Sequence, residues 1–331
     1  STTRPTTTGK SFLISLTITH TTRVGGKMKI LLTGATGFLG QNLKPVLKQD
    51  YEVCGVGSQF WDLRDQKKVH QALDHFEPDV IVHAAGSVGG ILANRENPGK
   101  FMYENLIMGA NLIEAARTSN IKKFILLGTV CAYPKFTPVP FKEEELWNGY
   151  PEETNAPYGI AKKALMKLVE TYHCQYGFNG VNLIPVNMYG PHDHFNLTSS
   201  HVIPALILKF YDAIGSGKDV TLWGTGEASR EFLYAPDCAE AIKLAIEKDV
   251  GPNPINIGTG KEIKIKDLAT EIAEQMGFSG KIIYDDSKPD GQPRRCLDTT
   301  RAEEVIGFKA KTDLQIGLKQ TIEWFLKRGN K

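Results

Sequence analysis

The sequence predicts an α/β protein: a doubly wound parallel sheet followed by a smaller, partly interleaved C-terminal α/β lobe. Three observations predict it. Short apolar runs alternate with helical stretches from Met28 to about Pro185. The first run ends in a glycine-rich turn, Gly34 to Gly40, that opens a helix. After Gly190 the alternation loosens and the segments shorten.

Taken in order, Met28 to Thr33 is mostly apolar and reads as a buried parallel strand. A helix follows the glycine turn to about Lys48, and Glu52 to Gly57 is the second strand. Gln66 to Phe76 is helical and Asp79 to Ala84 is the third strand. Asn97 to Ser119 is a long helix, Lys123 to Leu127 the fourth strand, Tyr158 to Gln175 a helix, and Val181 to Pro185 the fifth strand. Right-handed crossovers bring the carboxyl ends of these strands to one edge, so Gly34, Ala84, Thr129 and Asn187 should line it together. In the smaller lobe, helices are expected at 201–213, 237–247, 265–276, 300–306 and 314–328, and strands at 220–223, 254–257 and 281–284. The expected division is 28–190 for the cofactor-binding domain, able to recruit later segments, and 191–330 for the substrate lobe.

Composition narrows the function. A net charge of +2 gives no basic surface for nucleic acid, so an anionic ligand needs a local site. Five scattered cysteines without Cys-x-x-Cys spacing argue against a disulfide framework or zinc site and for a reducing, cytoplasmic setting. No apolar run reaches the roughly 18 residues of a membrane span. Ser1 to Lys27 is Thr-rich and basic with no acidic residue. It reads as a leader, a transit peptide or an extension outside the fold, expected to be disordered.

Gly34, Ala35, Thr36, Gly37, Phe38, Leu39 and Gly40 form a G-x-x-G-x-x-G turn between strand and helix. Its glycines allow close approach of backbone to a pyrophosphate, and the helix N-terminus offers free N–H groups. This is the Rossmann-type dinucleotide site. An NAD enzyme usually has an acid at the end of the second strand for the ribose 2′-hydroxyl. Here Gly57, Ser58 and Gln59 stand there, so NADP(H) is the expected cofactor, although no arginine marks a 2′-phosphate either. Asp62 is expected to contact adenine.

Tyr158 and Lys162 lie four residues apart on one helix face. A tyrosine pKa of about 10 is high for acid–base work, and a nearby ammonium favours the phenolate. Thr129, behind a strand, is placed to hydrogen-bond a substrate carbonyl beside Tyr158. His192, Asp193 and His194 have metal-liganding types, but their Y-G-P-H-D context reads as a loop of the substrate site, so no metal is expected. Glu143 to Glu145 reads as a solvated face.

Longer stretches carry a specific likeness. They are Ala84 to Ile91 (AAGSVGGI), Leu127 to Lys135 (LGTVCAYPK), Pro157 to Lys162, Asn187 to Asp193 (NMYGPHD) and Ser200 to Leu206 (SHVIPAL). Trp223 to Gly226, Arg230 to Leu233 and Lys288 to Arg294 (KPDGQPR) follow. With these, residues 28–327 resemble the extended short-chain dehydrogenase/reductase superfamily and, within it, the GDP-L-fucose synthase family.

The resemblance implies NADPH-dependent 3,5-epimerisation and 4-reduction of GDP-4-keto-6-deoxy-D-mannose. It implies that Cys131 and His201 exchange protons at C3 and C5, which the C4 ketone acidifies. Their ordinary pKa values, about 8.5 and 6.5, suit that work. It implies cofactor contacts from Leu127, Gly128, Lys162, Pro185, Asn187 and Met188, and contacts to GDP from Lys209, Trp223, Arg230 and Asp290. It also implies a homodimer built on the helix near 97–118 and the Tyr158 helix. Two departures stand out. Ala35 and Thr36 replace the family's His-Arg pair in the glycine turn, and Gly128-Thr129-Val130-Cys131 replaces its Gly-Ser-Ser-Cys. They leave open the cofactor preference and the exact sugar, a related GDP-4-keto heptose or 3,6-dideoxyhexose, without removing a catalytic group; fold alone also leaves open a dinucleotide-binding protein without activity.

Overall fold

A computed structural model describes residues 26–119, 121–197, 200–288 and 290–328; of the Ser1–Lys27 segment, residues 1–25 lie outside them. In chain order the elements begin β1 (Lys29–Thr33), α1 (Phe38–Leu47), β2 (Glu52–Val56), α2 (Gln66–Phe76), β3 (Val80–His83), α3 (Ile91–Glu96), α4 (Pro98–Thr118) and β4 (Lys123–Leu127). They continue with α5 (Ala156–Tyr176), β5 (Gly180–Pro185), β6 (Asn187–Tyr189), α6 (Val202–Ser216), β7 (Val220–Trp223), β8 (Ser229–Tyr234) and α7 (Ala235–Glu247). Last come β9 (Ile255–Ile257), β10 (Glu262–Lys264), α8 (Ile265–Met276), β11 (Ile282–Asp285), α9 (Thr300–Ile306) and α10 (Leu314–Arg328).

The main sheet runs β2-β1-β3-β4-β5-β9, all parallel. Its strands are apolar on both faces because helices cover both: Ile30, Leu31, Leu32, Ile81, Val82, Phe124, Ile125 and Leu126 are fully buried. The chain leaves β1 for β2 on one side and returns to β3 on the other. That reversal opens a crevice at the carboxyl end of β1, the place where such sheets bind ligands.

A second core gathers Tyr189, Ile207, Phe210, Phe232, Leu268 and Leu318 around two small sheets, β10-β8-β6 and β11-β7. The sequence reading did not find α3, β6, β8 or β10. Strand β8 hides because Arg230 and Glu231 interrupt its apolar residues, although Glu231 is fully buried. Strands β6 and β10 are three residues each, too short for a periodicity signal. Strand β9, from beyond Gly190, joins the main sheet beside β5, pairing Leu183 with Ile255.

Among the described residues no helix is long and apolar enough to cross a membrane.

Candidate active site

The glycine turn is shaped by contact. Gly34 has φ +70°, the left-handed region, and a Cβ there would lie 2.7 Å from the Ala85 nitrogen. The Gly37 N–H donates to the Gly34 carbonyl at 3.0 Å, and a Cβ on Gly40 would fall 2.1 Å from that carbonyl oxygen. Helix α1 therefore starts hard against the end of β1. Its N-cap, Gly37, supplies no side-chain acceptor, so the first-turn N–H groups face outward for an anion. A turn that admits no Cβ and a helix end with no side-chain cap fit a dinucleotide pyrophosphate.

Around this cradle, Leu127 ends β4 with Gly128 next to it, and Pro185 ends β5. Thr33 joins the neighbouring strand through its hydroxyl, bonded to His83 Nδ1 (2.9 Å) and to the Ala85 N–H (3.2 Å). Asp62 follows β2 but is gripped by Arg64, whose Nε and Nη2 donate to its two oxygens at 2.9 and 2.8 Å. That hydrogen-bonded fork holds the Asp62 carboxyl down at about 2. Asn187 and Met188 lie within β6, and the Asn187 amide donates to the Glu231 carbonyl at 3.1 Å.

At the end of β4, Thr129 caps a short 3-10 turn over Val130–Ala132, and its Oγ1 accepts the Cys131 N–H at 3.2 Å. Helix α5 docks on this turn through Gly159, where a Cβ would be 2.4 Å from the Cys131 carbonyl oxygen. That close approach sets Tyr158 beside the turn: the Thr129 hydroxyl interacts with the phenol, and the Cys131 thiol lies within electrostatic reach of it. Thr129, Cys131 and Tyr158 thus share one corner of the crevice.

One expectation changes. The spacing predicted that Lys162 pulls the Tyr158 pKa down. Instead burial dominates and pushes the phenol well above its ordinary range. The Lys162 ammonium, 3% exposed, donates to the Leu127 carbonyl at 3.0 Å, and its own burial lowers its pKa to about 8. The phenol is therefore held in its protonated form.

Later segments of the chain present a second set. Arg295 Nη1 approaches the Cys131 sulfur at 3.8 Å, while its Nε and Nη2 donate to Gln292 Oε1 at 3.2 and 2.9 Å. Arg230 donates to the Ser229 carbonyl at 2.7 Å, and burial, then repulsion from Arg295, lowers it to about 10. Beneath both, the Glu231 carboxylate accepts the backbone N–H groups of Thr259 (2.5 Å), Gly260 (2.8 Å) and Leu297 (2.7 Å). It fixes the segment that carries Arg295.

Lys209 donates to the Thr221 carbonyl at 3.1 Å, and burial lowers its pKa. Trp223, at the end of β7, is 70% exposed. Asp290 spends both oxygens on Thr225, its N–H and its hydroxyl, each at 2.7 Å. It thereby shapes the turn that follows Trp223.

His201 is the N-cap residue of α6. It is exposed as a residue, while desolvation of its ring, then repulsion from His194, lowers its pKa. Among the described residues no hydrogen bond joins it to Cys131.

Sequence reasoning missed Arg295, Gln292 and the spacing role of Gly159. Gln292 stands inside the quoted KPDGQPR stretch and Arg295 directly after it, so a basic pair there was the available signal.

A dinucleotide cradle beside a Tyr–Lys pair, the lysine buried and the tyrosine half-buried, defines the class, an oxidoreductase of the Rossmann type with added acid–base groups. The chain belongs to the NAD dependent epimerase/dehydratase family, whose profile matches residues 30–258. It is 41% identical over 300 residues to a GDP-L-fucose synthase of Sinorhizobium fredii, covering 90% of this chain and 95% of that protein. It is 42% identical over 307 residues to a GDP-L-colitose synthase of Yersinia pseudotuberculosis, covering 92% and 99%. Its fold matches the crystal structure of a GDP-L-fucose synthetase from Naegleria fowleri bound to NADP, with TM-score 0.85, 29% identity and coverage of 92% and 94%.

Proposed function

We propose that this enzyme converts GDP-4-keto-6-deoxy-D-mannose to GDP-L-fucose by 3,5-epimerisation and NADP(H)-dependent 4-reduction. One observation carries the reading: Tyr158, Thr129 and Cys131 meet in one corner, with Arg295 against the thiol and Arg230 close to it. A plain ketoreductase needs the hydroxyls alone. A thiol placed there adds a proton-exchange group next to a ketone.

Cys131 and His201 remove and return protons at C3 and C5. A lowered pKa keeps the His201 imidazole neutral, able to accept a proton. The Gly34–Gly40 turn would hold NADPH, which when bound would supply the hydride for C4. Tyr158, protonated, gives its proton to the C4 oxygen, which is far more basic as an alkoxide than a phenolate. Thr129 orients that oxygen, and Lys162 holds the cofactor ribose from its anchor on Leu127. Arg230 and Lys209 meet the diphosphate, and Trp223 offers its open face to the base.

Residues 28–190, less β6 and joined by α7, β9 and α9, form the cofactor lobe, and β6 with the remaining segments forms the substrate lobe. The exposed Met102 and Tyr103 on α4 and Tyr176 on α5 support a homodimer built on those two helices. Five free cysteines agree with a reducing cytoplasm. Light scattering tests the dimer.

The activity test mixes the protein with GDP-4-keto-6-deoxymannose and NADPH in deuterated water. NADPH oxidation with deuterium at C3 and C5 of the product is expected. Oxidation without deuterium would reduce the assignment to a ketoreductase. The 42% identity to a colitose synthase favours one second substrate class, the 3,6-dideoxy-4-keto hexoses. A higher kcat/KM for such a sugar in a side-by-side assay would replace the fucose reading.

A further inference from the structure

The glycine turn lacks the arginine that a 2′-phosphate would call for, and no basic residue occupies Gly57, Ser58 or Gln59. The first arginine beyond β2, Arg64, is already committed: it forks onto Asp62 and pairs with Glu104 at 2.9 Å. A phosphate beside the adenosine ribose must find its cation elsewhere.

The structure offers one. An open cleft of about 600 Å³ lies along α1, lined by Ala35, Thr36, Gln41, Lys44, Lys48 and His192 among others, with no carboxylate in its wall. Lys44 reaches from α1 across to β2, its Nζ 3.6 Å from where a Gly55 Cβ would stand. Any side chain at 55 would also meet the Ala35 Cβ at 2.7 Å, so the glycine keeps this path open. Thr36 points the same way, its Oγ1 3.9 Å from the position of a Gly57 Cβ. Gln41 is folded back, its amide donating to the Thr36 carbonyl at 3.0 Å. Among the described residues the Lys44 and Lys48 ammonium groups make no ion pair. In this fold the adenosine ribose lies between the glycine turn and the end of the second strand. Its 2′-substituent therefore faces the Thr36 side, where a free ammonium waits.

We propose that Lys44, assisted by Lys48 and the Thr36 hydroxyl, is the contact that selects the 2′-phosphate of NADP(H) over the 2′-hydroxyl of NAD(H). It does from the helix what an arginine in the glycine turn does elsewhere. A lysine serves because a phosphate monoester accepts a point charge from many directions. The inference rests on the cofactor reading above and goes beyond it by assigning the residue.

The test is binding, not turnover. Calorimetric titration of the full chain with NADP⁺, NAD⁺, 2′,5′-ADP and ADP gives each Kd. Lys44→Met should weaken NADP⁺ and 2′,5′-ADP by roughly ten- to a hundredfold, leaving NAD⁺ and ADP within about twofold. Lys44→Glu should reverse the preference, and Lys48→Met should act in the same direction by only a few-fold. Equal thermal melting of the variants confirms that the fold is intact. If Lys44→Met keeps the wild-type preference for NADP⁺, or weakens all four ligands alike, this assignment falls while the cofactor reading stands. If the wild-type protein itself does not prefer NADP⁺, both fall.

Discussion

The guanidinium of Arg295 lies 3.8 Å from the sulfur of Cys131, although 164 residues separate them in the chain. One comes from the segment between β11 and α9 and the other from just past the end of β4. Gln292 holds the far side of the guanidinium, so the contact is built from both walls of the crevice. The thiol thus lies where segments distant in the chain meet, within electrostatic reach of the Tyr158 phenol.

Cys131→Ser keeps the volume and removes the thiol's acid–base capacity. Deuterium incorporation at C3 and C5 should fall roughly a hundred- to ten-thousandfold, while hydride transfer to an already epimerised ketone persists. Mass spectrometry of the product reads the first and NADPH oxidation the second. Undiminished incorporation would remove Cys131 from the mechanism.

Tyr158→Phe removes a proton donor whose pKa burial keeps high. kcat for reduction should drop roughly a hundred- to ten-thousandfold with the Kd for NADP⁺ unchanged. A matching loss of cofactor affinity would mean that the ring binds rather than reacts.

His201 stays neutral to lower pH than an ordinary histidine because of desolvation and the neighbouring His194. The acid limb of the exchange rate should therefore lie below the ordinary histidine value of about 6.5. Removing the repulsion with His194→Gln raises the His201 pKa and should move that limb upward. A pH profile of deuterium exchange checks it, and a limb that shifts downward or stays put contradicts it.

His83 gives a stability prediction. Buried beneath the site, it titrates at about 3, because burial and then the Lys162 charge disfavour its imidazolium. An unfolded histidine titrates near 6.5. As pH falls below about 6.5 the unfolded chain takes up a proton that the folded chain refuses, so stability declines towards pH 3. Glu231 and Glu143, the latter buried against the Asn256 N–H and not solvated as its acidic run suggested, are raised by burial and act in the opposite sense, so the comparison must be between variants. Melting temperature should fall less steeply with acidification in His83→Gln than in the wild type. Identical slopes would assign the acid sensitivity elsewhere.

Gly159→Ala places a methyl 2.4 Å from the Cys131 carbonyl. Backbone must move, at a cost of about 1–3 kcal/mol. Because the Cys131 turn moves with it, deuterium exchange should suffer more than binding of NADP⁺. Equal losses in both would show that α5, not the turn, gives way.

Much of this was legible in the chain. Helices α2, α8, α9 and α10 and strands β4 and β7 fall at the bounds read from apolar periodicity, because each buries one face or lies wholly inside. The glycine turn and the Tyr158–Lys162 pair were visible as local spacing. What escaped notice depends on contacts distant in sequence. Arg295 matters only where it meets Cys131, and Lys44 only where Gly55 makes room for it. Strand β8 was obscured because its charged residues are buried, satisfied by backbone groups that no local pattern announces. The phenol's pKa was misjudged for a related reason: spacing places an ammonium on the same face, but not which acceptor it chooses.

The join between β5 and β6 has a mechanical meaning. Pro185 closes one sheet, Asn187 opens another, and the single residue between them, Val186, is itself bonded through its N–H to the Ile257 carbonyl at 3.0 Å. A hinge needs a few torsions free to turn, and this junction has almost none. The two sheets are thus tied together at the floor of the crevice. With that floor tied, a bulky nucleotide sugar meets its more adaptable contacts at the rim, among side chains and loop segments such as the one bearing His201.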